Sequence, residues 1–163
     1  MYDSSPMSGQ PVPYMARTRR YYEAQGFERA YVWARFEDVP FTPLGKPLRE
    51  SKLAVVSTSA LYDREATDPR YVASGSMLEP PERLYANDLA WAKNVTHMDD
   101  RGSYFPVEPL KRMVEEGRLG ALSERFHCAP TEYSQRRTRE GDAPEILERI
   151  REDGADIALL VPL

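Results

Sequence analysis

The sequence predicts an α/β domain built on a parallel sheet, and three observations carry that expectation. Leu53-Ala-Val-Val-Ser-Thr58 is a short, nearly continuous apolar run, the pattern of a strand covered on both faces. Val107–Glu116 places Val107, Leu110, Met113 and Val114 on one helical stripe. Asp142–Gly154 reads as a second amphipathic helix that leads straight into another apolar run, Ala155–Val161. A strand, then a helix, then a helix entering a strand is the alternation that parallel crossovers require.

Taken from the N-terminus, residues 1–13 hold Pro6, Pro11 and Pro13 among Gly and Ser, and are expected to form a flexible tail without a core. Tyr14–Gln25 reads as a helix with Tyr14, Met15, Thr18, Tyr21 and Tyr22 along one side, and Gly26 is placed to end it. The spacing exposes arginines and buries mostly tyrosines. Pro40, Pro43 and Pro47 exclude a regular helix after it and remove ladder donors from any strand. Residues 27–50 are therefore expected to run as an extended, proline-rich arm anchored by Trp33, Phe36 and Phe41.

From residue 51 onward the α/β elements follow. The strand at Leu53 comes first. Pro106 and Pro109 fit the first turn of the Val107 helix, and Gly117 its end. Glu108–Arg112 and Lys111–Glu115 support its outer face as i,i+4 pairs. Leu122–Cys128 is the next strand, weakened by Glu124 and Arg125. Asp142-Ala-Pro-Glu145 supplies an N-cap acceptor, an early proline and an acid three residues on. Ile146, Leu147 and Ile150 give that helix its buried stripe, Gly154 closes it, and Ile157–Val161 forms an interior strand. The arrangement expected is three-layered, of the Rossmann or flavodoxin kind, as one α/β domain over 51–163 behind a helix and arm over 14–50.

Composition removes several function classes. With 41% apolar and 29% charged residues, the chain of 163 residues is a globular mixture. No apolar stretch approaches the roughly 20 residues that a membrane span needs. The N-terminus lacks the basic head and apolar core of a secretion signal. A lone Cys128 forms no intrachain disulfide, and together these features predict a cytoplasmic protein. Net charge is −4, and the basic runs at Arg17–Arg20 and Arg136–Arg139 lie among glutamates, so nucleic acid is not an expected partner.

In open parallel sheets, ligands sit beyond the carboxyl ends of the strands. Three such ends are legible: Ser57-Thr58-Ser59, His127-Cys128 and Val161-Pro162-Leu163. Thr58 and Ser59 offer hydroxyls and backbone donors fit to bind an anionic substrate, and equally fit to cap a turn. His97-Met-Asp99-Asp100 sets an imidazole beside carboxylates, either a general acid/base or a solvated polar turn. A metal site needs about three protein ligands, and with two histidines in the chain none is expected. Cys128 follows His127, but adjacent strand residues face opposite ways, so a buried thiol is the simpler reading. Gly75-Ser-Met lacks both common phosphate-loop fingerprints, and no cofactor is expected.

Several segments resemble, in order, the selenoprotein B component of the glycine, sarcosine, betaine and D-proline reductases. They are Tyr31-Val-Trp-Ala, Pro40-Phe-Thr-Pro-Leu-Gly-Lys-Pro-Leu48 and Ser51-Lys-Leu-Ala-Val-Val-Ser-Thr58. Thr96-His-Met-Asp99, Tyr104-Phe-Pro-Val-Glu-Pro-Leu110 and Glu115-Glu-Gly-Arg-Leu-Gly120 follow, and the set closes with Ala143-Pro-Glu-Ile and Gly154–Pro162. The resemblance implies a selenol- or thiol-dependent reductase acting on a small amino-acid or betaine-like substrate, partnered by other reductase subunits. It implies His97 and Asp99 as the groups managing protons and Thr58 and Ser59 as substrate contacts.

Two departures stand out. In that family the last strand runs directly into a selenocysteine or cysteine, with another cysteine two residues later, whereas the sequence here reaches only Leu163. Gly75-Ser-Met also replaces the family's Gly-Asp-x-Ser pattern. The expectation is a form truncated before its redox residue and silent in reduction. A second reading, from another class, is a non-catalytic assembly subunit that forms a homo-oligomer over the edge of its last strand.

Overall fold

The structure is a computed structural model, in which the described residues are 13–30, 32–40, 42–63, 71–86, 97–129 and 134–163. Residues 1–12 of the expected tail over 1–13, and the Phe41 anchor, lie outside them. The chain forms two compact units, Met1–Pro40 and Phe41–Leu163.

In the first unit, helix α1 spans Tyr14–Ala24, and the chain leaves it at Gly26 with a φ of +82°. Its tyrosines are not buried as the spacing predicted. Tyr14 and Tyr21 are exposed, and Thr18 and Tyr22 are half-buried. Tyr22 meets Tyr21 and Phe27 edge-on, at centroid separations of 5.8 and 5.6 Å. The apolar stripe is thus spent on ring contacts with its own neighbours. Phe36, an expected anchor, is exposed.

In the second unit, β1 (Lys52–Ser57) is the strand with which three of the other four strands pair. Along one edge it pairs in parallel with β3 (Ala121–Leu122) and β4 (Arg125–Cys128). Along the other it pairs in parallel with β5 (Ile157–Val161), from Leu53 against Ile157 to Ser57 against Val161. β2 (Ala73–Ser76) runs antiparallel beside β4. The single strand expected over Leu122–Cys128 is interrupted, because Lys52 and Leu53 face Ala121 and Leu122 whereas Val56 faces His127. That register leaves Ser123-Glu124 as a bulge, in which the Glu124 carbonyl accepts the Met77 amide at 2.8 Å.

Alternation along β1 divides the core. Leu53 and Val55 face the larger cluster, with Tyr104, Phe105, Val107, Leu110 and Phe126. Ala54 and Val56 face the smaller one, with Val72, Ile146 and Ile150. Helix α2 (Val107–Glu115) therefore covers one side of β1 and helix α4 (Ala143–Glu152) the other. The chain goes from β1 through α2 to β4, then back past β1 through α4 to β5. Opposite directions on opposite faces give the two crossovers the same hand. Both helices end in a glycine with positive φ, Gly117 at +68° and Gly154 at +66°, where the sequence predicted their ends.

Three features correct the sequence reading. The sheet is mixed, because β2 is antiparallel. Ala73-Ser-Gly-Ser76 carries no β-branched or aromatic residue, and Gly75 is required there, since a Cβ would stand 2.6 Å from the Phe126 ring. β5 is parallel as expected but not interior, and among the described residues it pairs only with β1. Ile157, Leu159 and Val161 are half-buried on one face, while Ala158 and Leu160 are exposed on the other. Finally, Asp142 is not the N-cap of α4, because its φ of −64° and ψ of −45° are helical. The helical run begins at α3 (Gln135–Arg137), capped by Ser134, and passes through a wide turn over Thr138–Asp142. Pro144 has no amide to return to the preceding turn, which accounts for the widening.

Among the described residues no helix is long and apolar enough to cross a membrane. At Gly120 a Cβ would lie 2.8 Å from the backbone N and O of Ser51. Gly120→Ala is expected to cost about 1–3 kcal/mol, because backbone at the start of β1 must move. Gly141→Ala meets nothing within 4 Å and is expected to be neutral or slightly stabilising. Chemical denaturation checks both; equal stability of the two variants would contradict the close approach of Gly120 to Ser51.

Candidate functional site

β1 sends its chain to one side through α2 and receives it back on the other through α4. The boundary between β1 and β5 is therefore where the order of connection reverses, and the crevice outside the carboxyl ends of such a pair is a natural ligand position. Thr58, directly after β1, and Leu163, two residues after β5, meet there. The Thr58 Oγ1 accepts the Leu163 amide at 2.8 Å. Both residues are half-buried, and Leu163 also packs with Leu61 against the larger core.

Ser57 and Ser59 are placed differently, because side chains alternate along the strand. Both are buried. The Ser57 hydroxyl donates to the Tyr104 carbonyl at 3.1 Å and accepts from the Ser59 amide at 3.3 Å and the Ser59 hydroxyl at 3.0 Å. Ser59, expected to contact substrate, instead spends its hydroxyl and amide on fixing the turn after β1. Of the two substrate-contact candidates, Thr58 alone keeps partly open surface.

Cys128 ends β4 beside this cluster, with Sγ 3.9 Å from the Ser59 Oγ. It is buried, and burial pushes its thiol up to about 11, against a small opposing effect of the Ser59 hydroxyl. A thiol so held is a core residue and not a nucleophile.

His97 and Asp99 stand together, as the sequence suggested. The His97 Nδ1 lies 3.4 Å from the Asp99 Oδ2 and accepts the Asp99 amide at 3.3 Å. Both side chains are solvated, at 69% and 73% exposure, the geometry of a polar turn. Met98 between them is buried, and its carbonyl accepts the Tyr104 hydroxyl at 3.0 Å. Tyr104 in turn accepts Ser57 through its own carbonyl, so one buried tyrosine ties this turn to the end of β1. The structure thus brings the His97 turn to the strand's neighbourhood through Tyr104. It joins neither His97 nor Asp99 to Thr58 by a hydrogen bond. Tyr104 is the residue that reading by motif missed, since an aromatic in an apolar stretch signals only core.

Among the described residues no group of three or more His, Cys, Asp and Glu side chains is arranged to hold a metal ion. No protein-family model, curated protein or solved structure matches this chain.

The burial of Cys128 has a direct readout. At pH 8 a thiol near 11 is thiolate in only about one molecule in a thousand. Native protein is expected to resist alkylation by iodoacetamide at that pH, and denatured protein to react at once. Rapid native labelling would contradict the placement of Cys128.

Proposed function

We propose that the 41–163 unit belongs to a selenol- or thiol-dependent reductase of the selenoprotein B type, acting on a small amino-acid or betaine-like substrate. The observation that carries the reading is the Leu163 amide held on the Thr58 hydroxyl at the β1–β5 boundary. In the family that the sequence resembles, the reactive chalcogen follows the last strand directly. A group in that position would stand beside Thr58, at the mouth where strand ends present backbone donors. Such donors lower a thiol's or selenol's pKa and favour the nucleophilic anion. The reading takes the sheet as the start of a three-layer, flavodoxin-like domain, on the strength of the connection reversal at β1 and the helices on its two sides.

In this scheme Thr58 orients the substrate, while the His97–Asp99 turn, tethered by Tyr104, exchanges protons with solvent. His97 and Asp99 would act on a substrate that reaches outward from the crevice, since both are exposed. Ser59 drops from the contacts and becomes support. Cys128 does not serve as the reactive chalcogen, being buried and protonated at neutral pH.

Selenocysteine is encoded by a codon otherwise read as stop, so the codon after Leu163 in the gene is informative. The reading expects that codon or a cysteine codon, and any other sense codon counts against it. In a thiol-dependent reductive-cleavage assay, a chain that carries the chalcogen directly after the last strand is expected to be active, and lack of turnover by it would refute the scheme. His97→Ala in that chain is expected to lose turnover and keep its fold.

β5 pairs only with β1 among the described residues and exposes one face, which favours a second reading, a subunit that self-associates. Leu160 is 69% exposed in a strand without a charge, a surface that soluble proteins normally protect. Light scattering is expected to show association of the 163 residues that Leu160→Lys weakens; a monomer at high concentration removes this reading.

A further inference from the structure

His127, on β4, has no exposed surface at all. Its Nδ1 lies 2.8 Å from the Ser74 Oγ on β2, and its Nε2 lies 3.5 Å from the Asp153 Oδ2 just after α4. Among the described residues, Nε2 and Oδ2 are both buried without a hydrogen-bond partner. The surrounding charges come from three elements. From α4, Arg149 donates to the Ser74 Oγ at 2.7 Å and pairs with Glu145. From β4, Arg125 donates through Nε to the Asp153 Oδ1 at 2.8 Å, and also reaches Glu152 and the Arg149 carbonyl. From β1, Lys52 donates to the Asp153 carbonyl at 3.0 Å. Because Ser74 already accepts from Arg149, its own proton is free for Nδ1. The network thereby assigns the tautomer with hydrogen on Nε2, facing Asp153.

Serine, histidine and carboxylate in this order invite a hydrolytic reading. Here the hydroxyl is held by Arg149, and the imidazole has no surface from which a leaving group could collect its proton. The cluster does join α4 to two strands of the sheet.

We propose that it is an acid-released latch, holding the C-terminal end of α4, and with it β5, on the sheet. Neutral His127 accepts the Ser74 proton. Protonation turns Nδ1 into a donor, and Ser74 must then accept from two cations and find another place for its own hydrogen. Burial is the largest influence on the imidazole and holds it below its ordinary value; Asp153 opposes this, and Arg125 and Arg149 assist it. The folded state thus binds the proton less readily than the unfolded chain. The latch's contribution is complete above the ordinary value near 6.5 and is withdrawn as pH falls from there toward the depressed folded value. Since α4 turns through Gly154 into β5, whose end bonds Thr58, release also loosens the crevice at the sheet's end.

The test is an NMR titration of the two histidines in the whole chain. It is joined to amide exchange of α4 and β5 between about pH 7.5 and 5, corrected for intrinsic exchange. His127 is expected to titrate below about 6.5. Opening of α4 and β5 is expected to grow by up to about tenfold per pH unit in that window, and to lose this dependence in His127→Gln. A His127 that titrates at or above its ordinary value, or a variant with the wild-type dependence, overturns the latch. Should His127→Gln fail to fold, Asp153→Asn removes the carboxylate that favours the imidazolium. The titration is then expected to move lower still, and an unchanged titration also overturns the proposal.

Discussion

The pairing of β1 on both edges at once is the constraint from which the rest of this unit follows. Leu53 and Val56 each have a neighbour on either side, Leu122 and Ile157 for the one, His127 and Leu160 for the other. A strand hydrogen-bonded on both edges has only its two faces left to bury. Leu53 and Val55 on one face, with Ala54 and Val56 on the other, call for an apolar cover on each. The helices supply it from opposite directions, and that places the reversal of connection, where open α/β sheets take ligands, between β1 and β5.

The same constraint explains which hydroxyl reaches the end of β5. Ser57 and Ser59 point inward with the strand's alternation and are consumed in fixing Tyr104 and the turn, whereas Thr58 faces the other way and meets Leu163. The functional reading therefore rests on one threonine and a backbone amide, with the His97 turn attached through Tyr104 and Met98. The polar cluster around His127 lies across the sheet from Ser57 and Tyr104, under α4, where burying ionisable groups depends on their mutual pairing.

Much of this was legible in the residues. The apolar run at Leu53 could only be a doubly covered strand, and the glycines at 117 and 154 marked helix ends because the left-handed region excludes most other side chains. What escaped had physical reasons. Ala73-Ser-Gly-Ser76 is held in the sheet by Phe126 packing against a missing Cβ, a tertiary effect without a sequence pattern. Ile157–Val161 reads as interior by composition, yet Ala158 and Leu160 are open because α4 sits over β1 and not over β5. Asp142 reads as an N-cap, but the helical run starts earlier and widens ahead of Pro144. Near the proposed site, the position of Thr58 directly after a strand was legible from the apolar run that precedes it. The burial of Ser59 follows from alternation along the strand, and the contribution of Tyr104 was invisible because it acts through its carbonyl as well as its hydroxyl.

The account's central claim is that the end of β5 is fastened to the end of β1 by Thr58. Amide exchange at Leu163 tests it most directly, comparing wild type with Thr58→Ser and Thr58→Val. The account expects slow exchange in the first two, which keep the hydroxyl acceptor, and clearly faster exchange in the valine variant, which lacks it. Leu163 exchanging at the same fast rate in all three would mean that the two strand ends are not joined and that no crevice is built between them.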